Sequence, residues 1–213
     1  MKHDAISFYS QKLKKQHEKI GPDLVFNNHL LKYVANKKFM DLGCGIGYYL
    51  SEMGEGSVGL DASSINVGHA HESLDIRQVD LNGEINPGTG FDGIFASHVI
   101  EHLLSPVEFI EKCSNILDKG QLFILGVPTE NAIDRIFYPY GFSEDIRHFY
   151  SFTYPNLKYL VERCDFKITA RYISFTGMGR MKSRRFERVL QKIIPFRLGL
   201  FLSKGYYVVC EKV

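Results

Sequence analysis

The 213-residue chain predicts an α/β fold built on a doubly wound, mostly parallel sheet. Short apolar strand patterns alternate with helical ones over most of its length, and the run Asp41-Leu42-Gly43-Cys44-Gly45-Ile46-Gly47 directly follows the first strand. A second strand, Ser57 to Leu60, then ends on an acid, Asp61, twenty residues after Asp41. Such alternation requires right-handed crossovers and helices on both faces of a parallel sheet. Ligands of such sheets lie beyond the carboxyl ends of the strands.

Each element has its own signal. Apolar residues at helical spacing (Ile6, Tyr9, Leu13, then Leu24, Leu30, Leu31, Val34) are interrupted at Gly21-Pro22 and predict two helices capping the sheet within residues 1–36. Strand 38–42 and the glycine loop follow, then a short helix from Tyr48, strand 57–61, a helix from Ser63 to about Ser73, and strand 76–79. Strand 91–97, helix 106–117 and strand 121–127 continue the alternation. An aromatic and polar stretch, Thr129 to Ser151, precedes helix 154–164 and a long strand, 166–176. Gly205 to Val213 reads as a last strand.

Hydrophobic content of 45% and charged content of 23% suit a single soluble domain. No apolar run reaches the ~18 residues that span a bilayer, and the N-terminus has no apolar signal region. A cytoplasmic protein is expected, with peripheral contact at the inner face of the membrane as the alternative. Cys44, Cys113, Cys164 and Cys210 are far apart, without a C-x-x-C pair, and read as reduced, buried thiols.

The glycines have a physical purpose. A chain leaving a strand for a helix turns sharply, and glycine takes positive φ there while letting a ligand approach the backbone. A helix beginning near Tyr48 would aim free N–H groups at an anionic ligand end. Asp61, an acceptor with two oxygens, is placed for vicinal ribose hydroxyls. The dinucleotide pattern G-x-G-x-x-G fails in both registers, because Tyr48 or Leu50 stands where its third glycine belongs.

On Asp41 to Gly47, read as an acid followed by x-G-x-G-x-G, the chain resembles the class I S-adenosylmethionine-dependent methyltransferases. Asp61 and Ala62 in "GLDAS" resemble the ribose-binding acid and its neighbour, and Asp80 and Leu81 in "VDLN" the pair that holds the adenine. "FDGIFASHVIEHLLSP" (Phe91 to Pro106) resembles the fourth strand with its E-H dipeptide, where the backbone of Ser97 and His98 would receive the cofactor's amino group. "LDKGQLFILGVP" (Leu117 to Pro128) resembles the fifth-strand turn, with Gln121 departing from a second glycine. The resemblance implies a Rossmann-like, seven-stranded sheet whose antiparallel last strand lies between the fifth and sixth. It implies S-adenosyl-L-methionine as cofactor. Residues 37–127 would form the cofactor-binding core, 128–152 a lid and 177–204 a basic insertion within one methyltransferase domain, 1–213.

Methyl transfer from a sulfonium depends above all on holding the nucleophile ~3–3.5 Å from the methyl carbon. A hydroxyl acceptor also needs a base. His148, in an H-x-x-x-F-T segment similar to one in the family, is the candidate; the same histidine could instead bond lid backbone or cap the next helix. His98, Glu101 and His102 stand at i, i+3 and i+4, a set partly similar to the metal-associated residues of ubiquinone-type O-methyltransferases. The reading adopted is without metal. Tyr48 and Tyr49 could face the sulfonium or pack in the core, and Tyr138, Tyr140, Phe142 and Phe149 could line an acceptor pocket.

Residues 177–204 hold eight Lys/Arg against one acid, Glu187, although the whole chain has a net charge of only +2. Phe186, Val189, Leu190, Ile193 and Ile194 fall at helical spacing among Arg184, Arg185, Arg188, Gln191 and Lys192, and Pro195 ends the run. This is a basic amphipathic helix: a membrane-surface element across 180–197, or a helix packed on the core or on a second copy in a homodimer. Nucleic acid is not expected, because the charge is local and no RNA-binding module accompanies it. The resulting expectation is a methyltransferase acting on a small-molecule or lipid-linked acceptor, on oxygen. N- or C-methylation and a non-catalytic cofactor-binding subunit stay open.

Overall fold

The structure, a computed structural model, describes residues 24–86, 88–129, 148–174, 184–203 and 205–213. The first predicted helix, most of the lid with Tyr138, Tyr140 and Phe142, and the start of the basic insertion lie outside the described residues. A π-helical turn, Phe26–Leu30, runs into α1 (Leu31–Val34). Then come β1 (Phe39–Leu42), β2 (Val58–Asp61), α2 (Ser64–Gly68), β3 (Asp75–Gln78), β4 (Gly93–Ser97), α3 (Pro106–Ile116) and β5 (Leu122–Pro128). α4 (Tyr154–Arg163), β6 (Phe166–Ser174), α5 (Arg184–Ile193), α6 (Phe196–Leu202) and β7 (Gly205–Lys212) complete the chain.

All seven strands join one sheet in the order β3-β2-β1-β4-β5-β7-β6. β1 to β5 pair in parallel, whereas β7 runs antiparallel to both β5 and β6. The predicted placement of the last strand is therefore found. Side chains alternate across the sheet as strand pleating requires. Phe39, Phe95, Ile124, Tyr207 and Val209 meet Val25, Phe26, Leu30 and Val34 on one face. Met40, Ile94, Ala96, Phe123, Leu125 and Val208 meet Phe109, Ile110, Leu157 and Val161 on the other. Two covered faces explain why the strands read as near-continuous apolar runs.

Helix starts follow capping chemistry. Ser63, Ser105 and Thr153 each accept a hydrogen bond from the backbone N–H three residues on, and prolines occupy the first turns of α3 and α4. Among the described residues no helix is long and apolar enough to cross a membrane.

Three local expectations fail. The glycine loop leads not into an α-helix at Tyr48 but into one 3₁₀ turn, Leu50–Glu52. Three close glycines and a single short turn generate little macrodipole, so any anion there is met by loop amides instead. The helix after Ser63 stops at Gly68, five residues short of Ser73. On α5 the apolar stripe is split: Leu190 and Ile194 turn inward beside Glu187 and Gln191, while Val189 and Ile193 are exposed. Polar anchoring of Glu187 and Gln191 to Asn28, His29 and Ile173 sets that rotation.

Candidate active site

Chain order places the acids at adjoining strand ends. Asp41 lies in β1 opposite Gly59 of β2, and Asp61 closes β2 opposite Gln78, two residues before Asp80. β4 ends at Ser97 on the other side of β1, where strand order reverses. The sequence-predicted residues Asp41, Gly43, Gly45, Gly47, Asp61, Ala62, Asp80, Leu81, Ser97 and His98 thus gather at the carboxyl end of β1 to β4.

The three glycines answer different demands. Gly43 has φ +75°, and a Cβ there would meet Val99 Cγ2 at 2.3 Å. Gly47, at φ +91°, packs against Leu74 and Ile76, with the nearest atom 2.7 Å from an added Cβ. Gly45, at φ +59°, faces open space. It is the point where a ligand can meet bare backbone.

Asp61 is buried and already bonded within the protein. Its Oδ2 accepts from the Gly45 N–H at 2.8 Å; its Oδ1 accepts from the Ser63 N–H at 2.9 Å and Asn66 Nδ2 at 3.1 Å. A carboxylate offers about four lone-pair directions, so capacity remains for a further donor. Asp80 is exposed and turns its own loop, accepting from the Asn82 N–H and side chain at 3.0 and 2.9 Å. The Ala62 carbonyl accepts from Gln78 Nε2, and Leu81 is buried.

Asp41 is fully enclosed and its Oδ2 has no hydrogen-bond partner among the described residues. Burial, followed by the nearby Asp61 charge, pushes its carboxyl up to about 8 despite a bond from the Leu50 N–H. An orphaned acceptor beside the glycine loop fits a ligand with a cationic or N–H group. Cys44 is buried too, and burial with the two acids raises its thiol. It stays protonated and donates to the Gly45 carbonyl, as a filler and not a nucleophile.

His98 takes φ +57°. Its N–H donates to the Gly126 carbonyl at 2.9 Å. The Ser97 hydroxyl bonds the Tyr207 hydroxyl at 2.8 Å. Tyr49, half-buried, packs against the core residues Phe26 and Phe95, ring centroids 4.6 and 5.0 Å away.

The structure brings one more group together. Glu101 is completely buried, and among the described residues neither carboxylate oxygen has a hydrogen-bond partner. His98 Nδ1 lies 3.6 Å from Oε1, and ligand atoms of Glu101, His102 and His148 all fall within 4.8 Å of one another. The His102 and His148 rings meet edge to face at 4.8 Å. Phe149 N–H donates to the Glu101 carbonyl at 2.8 Å and the Tyr150 hydroxyl to the Leu104 carbonyl at 2.9 Å, which fastens the end of the lid over this loop. The i, i+3, i+4 spacing signalled the Glu101 side; nothing local signalled that His148, 47 positions beyond Glu101, would join it.

A family profile described as "Methyltransferase domain" matches residues 4–171. A ubiquinone biosynthesis O-methyltransferase of Bradyrhizobium sp. (strain ORS 278) is 28% identical over 115 residues, 49% of this chain and 45% of that protein. A tRNA U34 carboxymethyltransferase of Aeromonas salmonicida (strain A449) is 30% identical over 149 residues, 62% of this chain and 45% of its own length. The chain therefore spans about half the length of these curated relatives. Among solved structures, an S-adenosylmethionine-dependent methyltransferase from Thermotoga maritima, described as a possible histamine N-methyltransferase, superposes with a TM-score of 0.70. It is 13% identical, with 98% of this chain and 100% of that one covered, and this likeness speaks to the fold alone.

Proposed function

The chain belongs to the class I S-adenosylmethionine-dependent methyltransferase family, and from that membership we propose that it methylates a hydroxyl on a small-molecule or lipid-linked acceptor. When bound, S-adenosyl-L-methionine supplies a sulfonium methyl, the electrophile of an in-line displacement. The chain's own residues do the holding. The loop from Gly43 to Gly47 forms the cradle, open at Gly45, and Asp41 offers its orphaned oxygen to the cationic end. Asp61 and Ala62 serve the ribose, Asp80 and Leu81 the adenine, and acceptor groups of Ser97 and His98 the amino group.

The observation that carries the oxygen reading is the Glu101 carboxylate, buried beside His98, His102 and His148 and without a hydrogen bond among the described residues. A hydroxyl must lose a proton as it attacks, whereas a neutral amine can shed its proton afterwards. An imidazole can take that proton, and a buried anion beside it stabilises the imidazolium. His148 is the base in this reading, with Glu101 positioning it. Incubation with radiolabelled cofactor and a panel of phenols, carboxylic acids and amines tests it: label on phenols is expected, and label on amines alone would overturn the oxygen assignment.

A second reading rests on the same three residues. One carboxylate and two imidazoles within mutual reach are also a donor set for a divalent cation that would polarise the acceptor oxygen. Calorimetric titration with zinc and manganese separates the two, because the proton-relay reading expects no heat that depends on His148.

A further inference from the structure

Helices α5 and α6 carry a surface that methyl transfer leaves unexplained. Glu187, the one acid among residues 177–204, is 1% exposed and accepts from Asn28 Nδ2 at 2.5 Å, His29 Nε2 at 3.1 Å and Gln191 Nε2 at 2.9 Å. Burial pushes its carboxyl up, but the bonds from His29, Asn28 and Gln191 outweigh it and hold the group below the usual glutamate range. Gln191 also bonds both the N–H and the carbonyl of Ile173 in edge strand β6. The helix is therefore pinned with its polar side inward.

What faces outward is cationic and apolar. Arg185, Arg188, Lys192 and Arg197 are exposed together with Val189, Ile193, Leu198 and Phe201; Ile193 is 70% exposed and Phe201 58%. Val189 and Ile193 share one helical face at i, i+4, and Leu198 and Phe201 another at i, i+3. A helix free to rotate would bury Ile193 before Glu187, so exposed apolar ridges of this kind mark a surface with a partner.

We propose that α5–α6 is an interfacial element that seats the protein on an anionic membrane surface. Headgroup phosphates take the arginines and lysine while the acyl boundary takes Val189, Ile193, Leu198 and Phe201. An RNA would use the cations and leave the apolar ridge in water, and a second copy would bring like charges face to face. The position is suited to the chemistry. α6 leads through buried Ser203, whose carbonyl accepts from Thr129 Oγ1 at 2.5 Å, into Gly205, where an added Cβ would lie 3.4 Å from His98 Cε1. The docking claim stands alone; only its consequence, an acceptor drawn from the bilayer, rests on the methyl-transfer reading.

Co-sedimentation of the full chain with phosphatidylcholine vesicles, with and without phosphatidylglycerol, tests it. Binding is expected only to the anionic vesicles, to fall with salt, and to weaken about fivefold for each of Arg185→Gln, Lys192→Gln and Arg197→Gln. The double variant Ile193→Asp/Phe201→Asp should lose binding while keeping the parent's melting temperature and affinity for S-adenosylhomocysteine, which tests the cofactor site separately. No sedimentation at low salt, or undiminished sedimentation of the double variant, overturns the proposal. So does a dimer, or a complex with transfer RNA, that the double variant abolishes.

Discussion

Asp61 and Gly45, sixteen residues apart, are joined by a 2.8 Å hydrogen bond from the loop N–H to the carboxylate. The acid at the end of β2 therefore shapes the loop after β1, and its other oxygen holds Ser63 and Asn66 at the start of α2. One side chain supports both walls of the cradle.

Replacing it should damage structure and binding together. Hydrogen bonds to a charged acceptor contribute ~1.5–3 kcal/mol, so Asp61→Ala is expected to weaken S-adenosylhomocysteine binding by at least about tenfold, measured by calorimetry, and to lower the melting temperature of the free protein. Asn66→Ala removes only a wall contact. It should lower stability slightly and leave affinity within about threefold.

The glycines predict a divergence between folding and binding. Gly43→Ala adds a methyl 2.3 Å from Val99 at φ +75° and should destabilise the protein by ~2 kcal/mol or more, with partial recovery in the Gly43→Ala/Val99→Ala pair. Gly45→Ala meets no neighbour, so its stability loss should stay near the ~1–2 kcal/mol cost of left-handed backbone. Its methyl points where a ligand would lie. Denaturation and calorimetry should rank the two variants in opposite orders.

Asp41 makes the free protein sensitive to pH. Its folded carboxyl titrates near 8 against an ordinary 3.8, so the native state keeps a proton that the unfolded chain releases. The associated stability is fully present below 3.8 and is lost as pH rises through about 8. Asp41→Asn, neutral throughout, should gain melting temperature relative to the parent across that window. A cationic ligand favours the ionised carboxylate, so S-adenosylmethionine binding should release a proton at pH 7. Titrations in buffers of different ionisation enthalpy measure it.

How far the sequence reveals the site depends on the range of the interaction. Asp41, Asp61 and the glycines were legible because one strand–loop–strand unit determines their geometry, and the place of β7 followed from family likeness. The helix after Gly47 was misread because loop glycines satisfy the turn without needing a helix behind them. The rotation of α5 was hidden because Asn28 and His29, more than 150 residues away, decide which face Glu187 presents. Likewise, His148 reaches Glu101 only once residues 148–150 are packed against the loop after β4. Periodicity reports local burial preference, and it cannot register a distant polar partner.

Glu187 allows that last idea to be measured. Removing its side chain leaves the half-buried donors of Asn28, His29 and Gln191 without their common acceptor, a loss on the order of 1–3 kcal/mol. Glu187→Ala should therefore raise hydrogen exchange in α5 and along the Ile173 end of β6 while sparing the glycine loop. Because the native carboxyl is depressed, its stabilisation is present above the ordinary 4.5 and fades as pH falls below it. Exchange in α5 should accelerate on acidification in the parent and much less in Glu187→Gln.

The Glu101 cluster carries the most specific kinetic prediction. If an imidazole removes the acceptor proton, kcat/KM rises with pH along a limb set by that imidazole, and the limb depends on the anion beside it. Glu101→Gln removes the charge with little change in size. The imidazolium then loses its support, so the limb should shift to lower pH and the plateau rate should fall. His148→Ala should cost on the order of 10²–10⁴ in kcat, the usual contribution of a general base, with cofactor affinity unchanged. A purely structural role for Glu101 would lower stability and leave the limb in place. Pairing the pH profile with a melting curve for each variant separates the two, because only a proton-transfer role moves the profile at temperatures where both proteins remain folded.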